Sequence, residues 1–90
     1  MLIQVTVSGT VGKQVVATTE QVKVCSLFLT PSAANATIKI REGNASGEVL
    51  FFGRALSAQG TRSFEIKHKF TKGMHVKVIG SNAEAYLELE

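Results

Sequence analysis

Apolar and polar residues alternate along most of the chain with a period of two residues, which is typical of β-strands. The stretch 36–41 shows the pattern most clearly, and it predicts that Ile38 and Ile40 point into a core. The same pattern predicts strands at 3–7, 14–18, 21–30, 48–56, 62–70, 74–79 and 83–90. Turn-forming residues separate these stretches, and none has the apolar spacing of an amphipathic helix. We therefore expect an all-β fold, a small antiparallel β-sandwich or barrel of seven to eight short strands.

Two details of the pattern make specific predictions about burial. The apolar run Val49-Leu50-Phe51-Phe52 predicts a strand that is covered on both faces. His68 shares its phase with Phe64 and Phe70, which predicts an interior or interface histidine. Inward positions are also expected in the last two strands, at Met74, Val76, Val78, Ala85, Leu87 and Leu89.

The length of 90 residues fits a single domain, 1–90, in which residues 1–17 form an N-terminal arm or an edge strand. A chain this short builds one modest core, and small domains often depend on disulfides, metals or oligomerisation for stability. The single cysteine, Cys25, rules out an internal disulfide. We therefore expect a homo-oligomer, a dimer or trimer, or attachment to a larger body.

Residues 42–53 have spacings that partly match a calcium-binding loop. Glu42, Asn44, Ser46 and Gly47 stand where an EF-hand loop places three oxygen ligands and its glycine. The twelfth position is Gly53, which offers no carboxylate, and the flanking pattern is that of strands. Gly43 and Asn44 tolerate the backbone of a tight turn, so the stretch predicts a β-hairpin without a metal.

Catalytic chemistry finds little support in the sequence. Cys25 lies in the middle of a predicted strand, which favours a buried and inert thiol over a nucleophile. The two histidines, His68 and His75, fall on opposite sides of the predicted strands, and no glycine-rich phosphate-binding motif is present. We expect no enzyme activity, no cofactor and no metal.

The basic residues form one suggestive cluster if 71–73 is a hairpin loop. In that register Lys67 lies opposite Lys77 and Lys69 lies opposite His75, while a second turn at 80–83 adds Tyr86. These five residues are the candidate partner-contact surface, and Gly43, Gly47, Gly73 and Gly80 are the expected structural turns. Like charges directly opposite each other are unfavourable. Either an anionic partner neutralises them or Glu84, Glu88 and Glu90 make this a mixed-charge, solvated face; the second interpretation is preferred.

Two long stretches carry a family resemblance: "VCSLFLTPSAANATIKIREGNASGEVLFFGRAL" and "FEIKHKFTKGMHVKVIGSNAEAYLELE". They resemble small β-sandwich proteins encoded among the virion genes of tailed bacteriophages. The likeness begins near Thr18 and leaves residues 1–17 uncovered. It rests on turn and core residues, namely Pro31, Arg41, Gly43, Gly47, Phe70, Lys72, Gly73 and Gly80.

The resemblance implies a structural virion protein, most plausibly a capsid decoration or cement protein that binds the major capsid protein or another virion protein. It implies a location in the virion after assembly in the host cytoplasm, in keeping with the lack of a signal-peptide or membrane-span pattern. A head-fibre or tail-associated module is the alternative within this class. A carbohydrate-binding module, with Tyr86 as the only expected outward aromatic, and a nucleic-acid-binding barrel using Lys67, Lys69, Lys72 and Lys77 are weaker alternatives.

Overall fold

Eight antiparallel strands form two four-stranded sheets that pack face to face, which confirms the all-β sandwich. The computed structural model describes residues 2–6 and 12–90. Sheet I has the strand order β1-β8-β3-β6 and sheet II the order β2-β7-β4-β5. The strands are β1 (Leu2–Thr6), β2 (Lys13–Val16), β3 (Val22–Thr30), β4 (Ala36–Glu42), β5 (Val49–Ala55), β6 (Arg62–Phe70), β7 (Met74–Ile79) and β8 (Glu84–Leu89).

The predicted pairing of the last three strands is wrong. β6 pairs with β3 in sheet I, whereas β7 pairs with β2 and β4 in sheet II, so 71–73 is a connection between sheets and not a hairpin loop. β8 returns to sheet I between β1 and β3. Among the eight described strands, only β4 and β5 are both consecutive in sequence and neighbours in a sheet. A short connection that contains glycine is compatible with a hairpin or with a crossover between sheets. Packing between the sheets decides which of the two forms.

The core lies between the sheets and follows the predicted alternation. Ile38 and Ile40 of β4 are fully buried, as are Leu27 and Leu29 of β3. The inward positions predicted in the last two strands are also buried: Met74, Val76, Val78, Ala85, Leu87 and Leu89. On one side, edge strands β5 and β6 approach across the sandwich, where the Phe51 and Phe64 rings meet edge to face at 5.3 Å.

The stretch 42–49 forms the hairpin predicted from its turn residues. The Glu42 amide donates to the Glu48 carbonyl at 3.0 Å, and the Ser46 amide donates to Asn44 Oδ1 at 2.9 Å. Gly43 has a φ of 91°, while Gly47 has ordinary φ but lies so close to the Glu42 carbonyl that a Cβ would collide with it. Gly73 and Gly80, with φ of 88° and 136°, lie in the connections that follow β6 and β7.

The N-terminal segment contributes edge strands to both sheets. β1 pairs with β8 and places Val5 in the core, and β2 pairs with β7. Gln14 Nε2 donates to the Val16 carbonyl at 2.8 Å and to the Gly43 carbonyl at 2.6 Å, which ties β2 to the β4–β5 turn. Residues 2–6 and 13–16 are therefore edge strands rather than a projecting arm; the rest of the predicted first strand falls at residues outside the described ranges.

Two burial predictions are wrong. β5 is covered on one face only, since Phe52 is 58% exposed and Val49 is 39% exposed, while Phe51 points inward. Because β5 lies at the edge of a two-layer sandwich, only its inward face packs against the other sheet. His68 is exposed, so its interior alternative is wrong, while the interface alternative stays a prediction; the ring packs edge to face on Phe70 with the ring centroids 4.7 Å apart. It lies on the edge strand β6, whose register against β3 shifts between Glu65 and His68.

Candidate partner-contact surface

The five residues predicted to share one surface lie on two opposite sheets. Lys67, Lys69 and Tyr86 belong to β6 and β8 of sheet I, whereas His75 and Lys77 belong to β7 of sheet II. Lys69 lies opposite Lys23, and Lys77 lies opposite Lys39. The expected pairs Lys67–Lys77 and Lys69–His75 do not form because β6 and β7 are in different sheets.

The outer face of sheet II gathers basic and apolar side chains into a regular array. Alternation along β4, β5 and β7 sends one residue in two outward, and the register places these residues in three rows. The rows are His75, Arg41 and Val49; Lys77, Lys39 and Phe52; and Ile79, Thr37 and Arg54. We call this surface the basic face.

Positive charges on the basic face have no counterion among the described residues. Lys39 and Lys77 lie directly opposite each other on the two central strands, an arrangement that destabilises a free sheet. None of Lys39, Lys77, Arg41 or Arg54 forms an ion pair with any described residue. Glu42, the one carboxylate within the four strands, instead accepts hydrogen bonds from the Thr71 amide at 3.0 Å and the Thr71 hydroxyl at 3.3 Å. Arg41 Nη1 donates to the Gly47 carbonyl at 2.9 Å.

His75 is the one buried polar side chain that stands out among the described residues. It is 5% exposed, and its Nδ1 finds no hydrogen-bond partner among them. Gly12 covers it so closely that a Cβ there would lie 2.7 Å from His75 Cε1. Burial lowers the pKa of His75 below its ordinary value, and the charges of Arg41 and Lys77 lower it further. The neutral ring thus fits beneath the cations without adding to their repulsion.

The outer face of sheet I carries both signs of charge and pairs some of them internally. Lys23 Nζ lies 3.4 Å from Glu90 Oε2. Gln4 Nε2 donates to Glu84 and to the Tyr86 hydroxyl at 3.1 Å each, and that hydroxyl donates to Glu84 at 2.5 Å. This last hydrogen bond, together with burial, raises the pKa of Tyr86. The mixed-charge interpretation made from the sequence therefore describes sheet I but not sheet II.

Cys25 occupies a break in the regular pairing of β3. The register shifts between Val24 and Ser26 against both neighbouring strands, and the thiol is half-buried rather than fully buried. Its Sγ lies 3.5 Å from Glu90 Oε2. Burial raises the pKa of the Cys25 thiol, and the hydrogen bond to Glu90 raises it further. Both effects disfavour the thiolate, which is the nucleophilic form.

A cleft of 390 Å³ lies where the edge strands β1 and β2 leave the sandwich open. Its apolar lining comes from Ile3, Val15, Val16, Val22 and Leu89, and Glu20 and Glu90 are its charged residues. Within the described part of the chain, no group of three or more His, Cys, Asp or Glu side chains could hold a metal ion.

Sequence reasoning missed three cations of the basic face. Lys39 and Arg41 alternate with Ile38 and Ile40, so the period of two already placed them outward. Arg54 follows the apolar run of β5, where alternation also indicates an outward side chain but the pattern is less regular. What the pattern did not contain was the pairing of β4 with β7, which brings Lys39 against Lys77. Phe28 and Phe52 are also exposed, so Tyr86 is not the only outward aromatic.

No protein-family model matches the chain, and no curated protein matches it. In the part of the chain that the structure describes, no helix is long and apolar enough to cross a membrane.

Proposed function

We propose that this chain is a structural protein of a tailed-phage particle, a capsid decoration or cement protein that binds the shell and stabilises it. The resemblance of residues 18–90 to small virion β-sandwiches supports this role. The observation that carries it is the contrast in charge between the outer faces: sheet I mixes both signs and pairs Lys23 with Glu90, while sheet II presents cations without an ion pair to any described residue, beside exposed apolar side chains. A protein built to lie with one face on a larger body has this asymmetry.

A decoration protein acts by binding and not by catalysis. The shell gains stability because each bound copy favours the assembled state over the separated one. The small core of the sandwich suits such a protein, since attachment to the shell adds to the stability of the domain. Copies that bind at local symmetry axes of the shell would meet as dimers or trimers.

Protein composition of purified particles tests this proposal directly. Virions are isolated from the phage whose genome encodes the chain, and their proteins are quantified by mass spectrometry. We expect the chain in many copies per particle, and we expect particles from a deletion mutant to lose their DNA at a lower temperature. Immunogold labelling of the head confirms the decoration role, whereas labelling confined to the tail assigns the chain to a tail module.

Supplying the gene in trans to the deletion mutant is the matched control, and it should restore thermal resistance. A chain that is abundant in the infected cell but absent from the purified particles contradicts the proposed function.

A further inference from the structure

We infer that the basic face is the docking surface and that it binds a carboxylate-rich protein surface, with one partner carboxylate seated between Lys39 and Lys77. The inference rests on the proposed function in one respect, because it takes the shell as the source of those carboxylates. It adds which face of the sandwich is turned toward the partner and which groups make the contact.

Register places the two ammonium groups within reach of a single acceptor. Lys39 and Lys77 are direct cross-strand partners, and such pairs have Cβ atoms about 4.5–5.5 Å apart. Both side chains are half-buried, so their stems are held against the sheet while the charged ends remain available. A carboxylate accepts several hydrogen bonds, so one Asp or Glu of a partner can neutralise both lysines.

Further cations surround this pair at short range. Arg41 lies two residues along β4 from Lys39, and Arg54 lies on β5 beyond Thr37. Arg41 uses one nitrogen on the Gly47 carbonyl and keeps its remaining donors. A partner surface with several carboxylates would therefore meet complementary charge across all three strands, which favours both encounter and orientation.

Apolar side chains on the same face favour a protein over a nucleic acid. Phe52 is 58% exposed, Ile79 is 41% exposed and Val49 is 39% exposed. Proteins that bind single strands stack successive bases on aromatic rings, and Phe52 is the one aromatic ring in the array besides the buried His75. Aliphatic groups such as Ile79 and Val49 instead suit the apolar core of a protein interface.

Zero-length crosslinking in intact particles tests which face is docked. A carbodiimide joins a lysine amine to a carboxylate only when the two groups are in contact, and mass spectrometry then identifies the joined residues. We expect Lys39 or Lys77 joined to an Asp or Glu of another particle protein, while Lys23 and Lys69 remain unjoined to other proteins. Crosslinks to other particle proteins from Lys23 and Lys69 alone would overturn the inference while leaving the proposed function intact.

Charge reversal provides the second test, with a control built into the fold. Lys39→Glu/Lys77→Glu reverses the opposed lysine pair of sheet II, and Lys23→Glu/Lys69→Glu reverses the opposed pair of sheet I. Each double change removes two positive charges and adds two negative ones, so the net charge falls from +3 to −1. Melting curves establish that both variants fold, and each is then supplied in trans to the deletion mutant.

We expect the sheet II reversal to lower the number of copies per particle by about tenfold or more and the sheet I reversal to leave it nearly unchanged. Equal incorporation of the two folded variants would overturn the inference. If even the unaltered chain is absent from particles, that result contradicts the proposed function. It also contradicts the inference that the shell supplies the carboxylates.

Fluorescence anisotropy with labelled single-stranded and duplex oligonucleotides tests whether nucleic acid, rather than protein, is the anionic partner of the basic face. Weak binding that is equal for the two charge-reversed variants supports a protein partner. Tight binding at physiological salt that the sheet II reversal abolishes and the sheet I reversal preserves would assign the basic face to nucleic acid instead.

Discussion

Sheet I and sheet II each place two lysines directly opposite one another, but among the described residues only the sheet I pair has a lysine in an ion pair with a carboxylate. Lys23 and Lys69 lie opposite each other, and Lys23 reaches Glu90 at 3.4 Å. Lys39 and Lys77 form the same arrangement on sheet II, where no described carboxylate pairs with either. The same local conflict is thus eased within the described residues on one face and not on the other.

That difference matters because repulsion in a free sheet lowers its stability. A pair of opposed like charges is a feature that folding alone does not favour. Exposed apolar groups beside the pair, Phe52 and Ile79, have the same character, since they too gain free energy only when something covers them. Under the proposed function, the basic face would give up some stability of the free protein in return for binding, whereas sheet I pairs Lys23 with Glu90 within the chain.

The comparison depends on β6 and β7 lying in different sheets, and Gly73 is where the chain crosses between them. Its φ is 88°, and a Cβ there would lie 2.6 Å from the Ala17 carbonyl oxygen and 2.7 Å from that of Val16. We expect Gly73→Ala to lower the free energy of unfolding by about 3 kcal/mol, from backbone strain together with this clash. Urea denaturation measures the loss.

Gly60→Ala is the matched control for that substitution. Gly60 also has a positive φ, 77°, but a Cβ added there would meet nothing within 4 Å, so only backbone strain of about 1 kcal/mol is expected. Equal losses at Gly60 and Gly73 would contradict the close packing of the crossover against the end of β2, and with it the separation of the two faces.

Alternation along the chain predicted the strands well because it is a local property. Ile38 and Ile40 point inward and Lys39 points outward whichever strand lies beside them. Strand pairing is not local. The sequence Thr71-Lys72-Gly73 is compatible with a hairpin or a crossover, and the crossover forms because β7 pairs with β4 and packs in the core. For this reason the predicted cluster combined Lys67 and Lys69 of sheet I with His75 and Lys77 of sheet II, whereas the hairpin at 42–49 was predicted correctly because its turn and its pairing are both local.

Acid should weaken the fold through the histidine of sheet II. The folded-state pKa of His75 is lowered, by burial first and then by Arg41 and Lys77, so the unfolded chain binds its proton more readily. The stability that the neutral ring provides is present above the unfolded pKa of about 6.5 and is lost as the pH falls through that value toward the folded pKa. Unfolding measured between neutral pH and mild acid should show this loss.

His75→Gln should remove that part of the acid sensitivity, since glutamine has no proton to bind in this range. Gln14 faces His75 from β2, and Arg41 faces it from β4. His68→Gln, at an exposed histidine of sheet I, is the control and should keep the acid-side loss. Identical pH profiles for the unaltered chain and His75→Gln would contradict the neutral, covered state of this ring.

Lys77→Glu should change stability only slightly, and it tests the comparison of the two lysine pairs directly. The substitution converts a repulsive cross-strand pair with Lys39 into an attractive one, so the free protein should become more stable by about 0.5–1 kcal/mol. High salt should shrink the gain because the pair lies at the surface. Lys69→Glu should give a smaller gain, since Lys23 already has Glu90 as its partner.

Equal gains would mean that the two lysine pairs are equally unsatisfied, and the basic face would lose the property that distinguishes it. A gain at Lys77 alone, together with reduced incorporation of the charge-reversed protein into particles, would show that stability is given up there for binding.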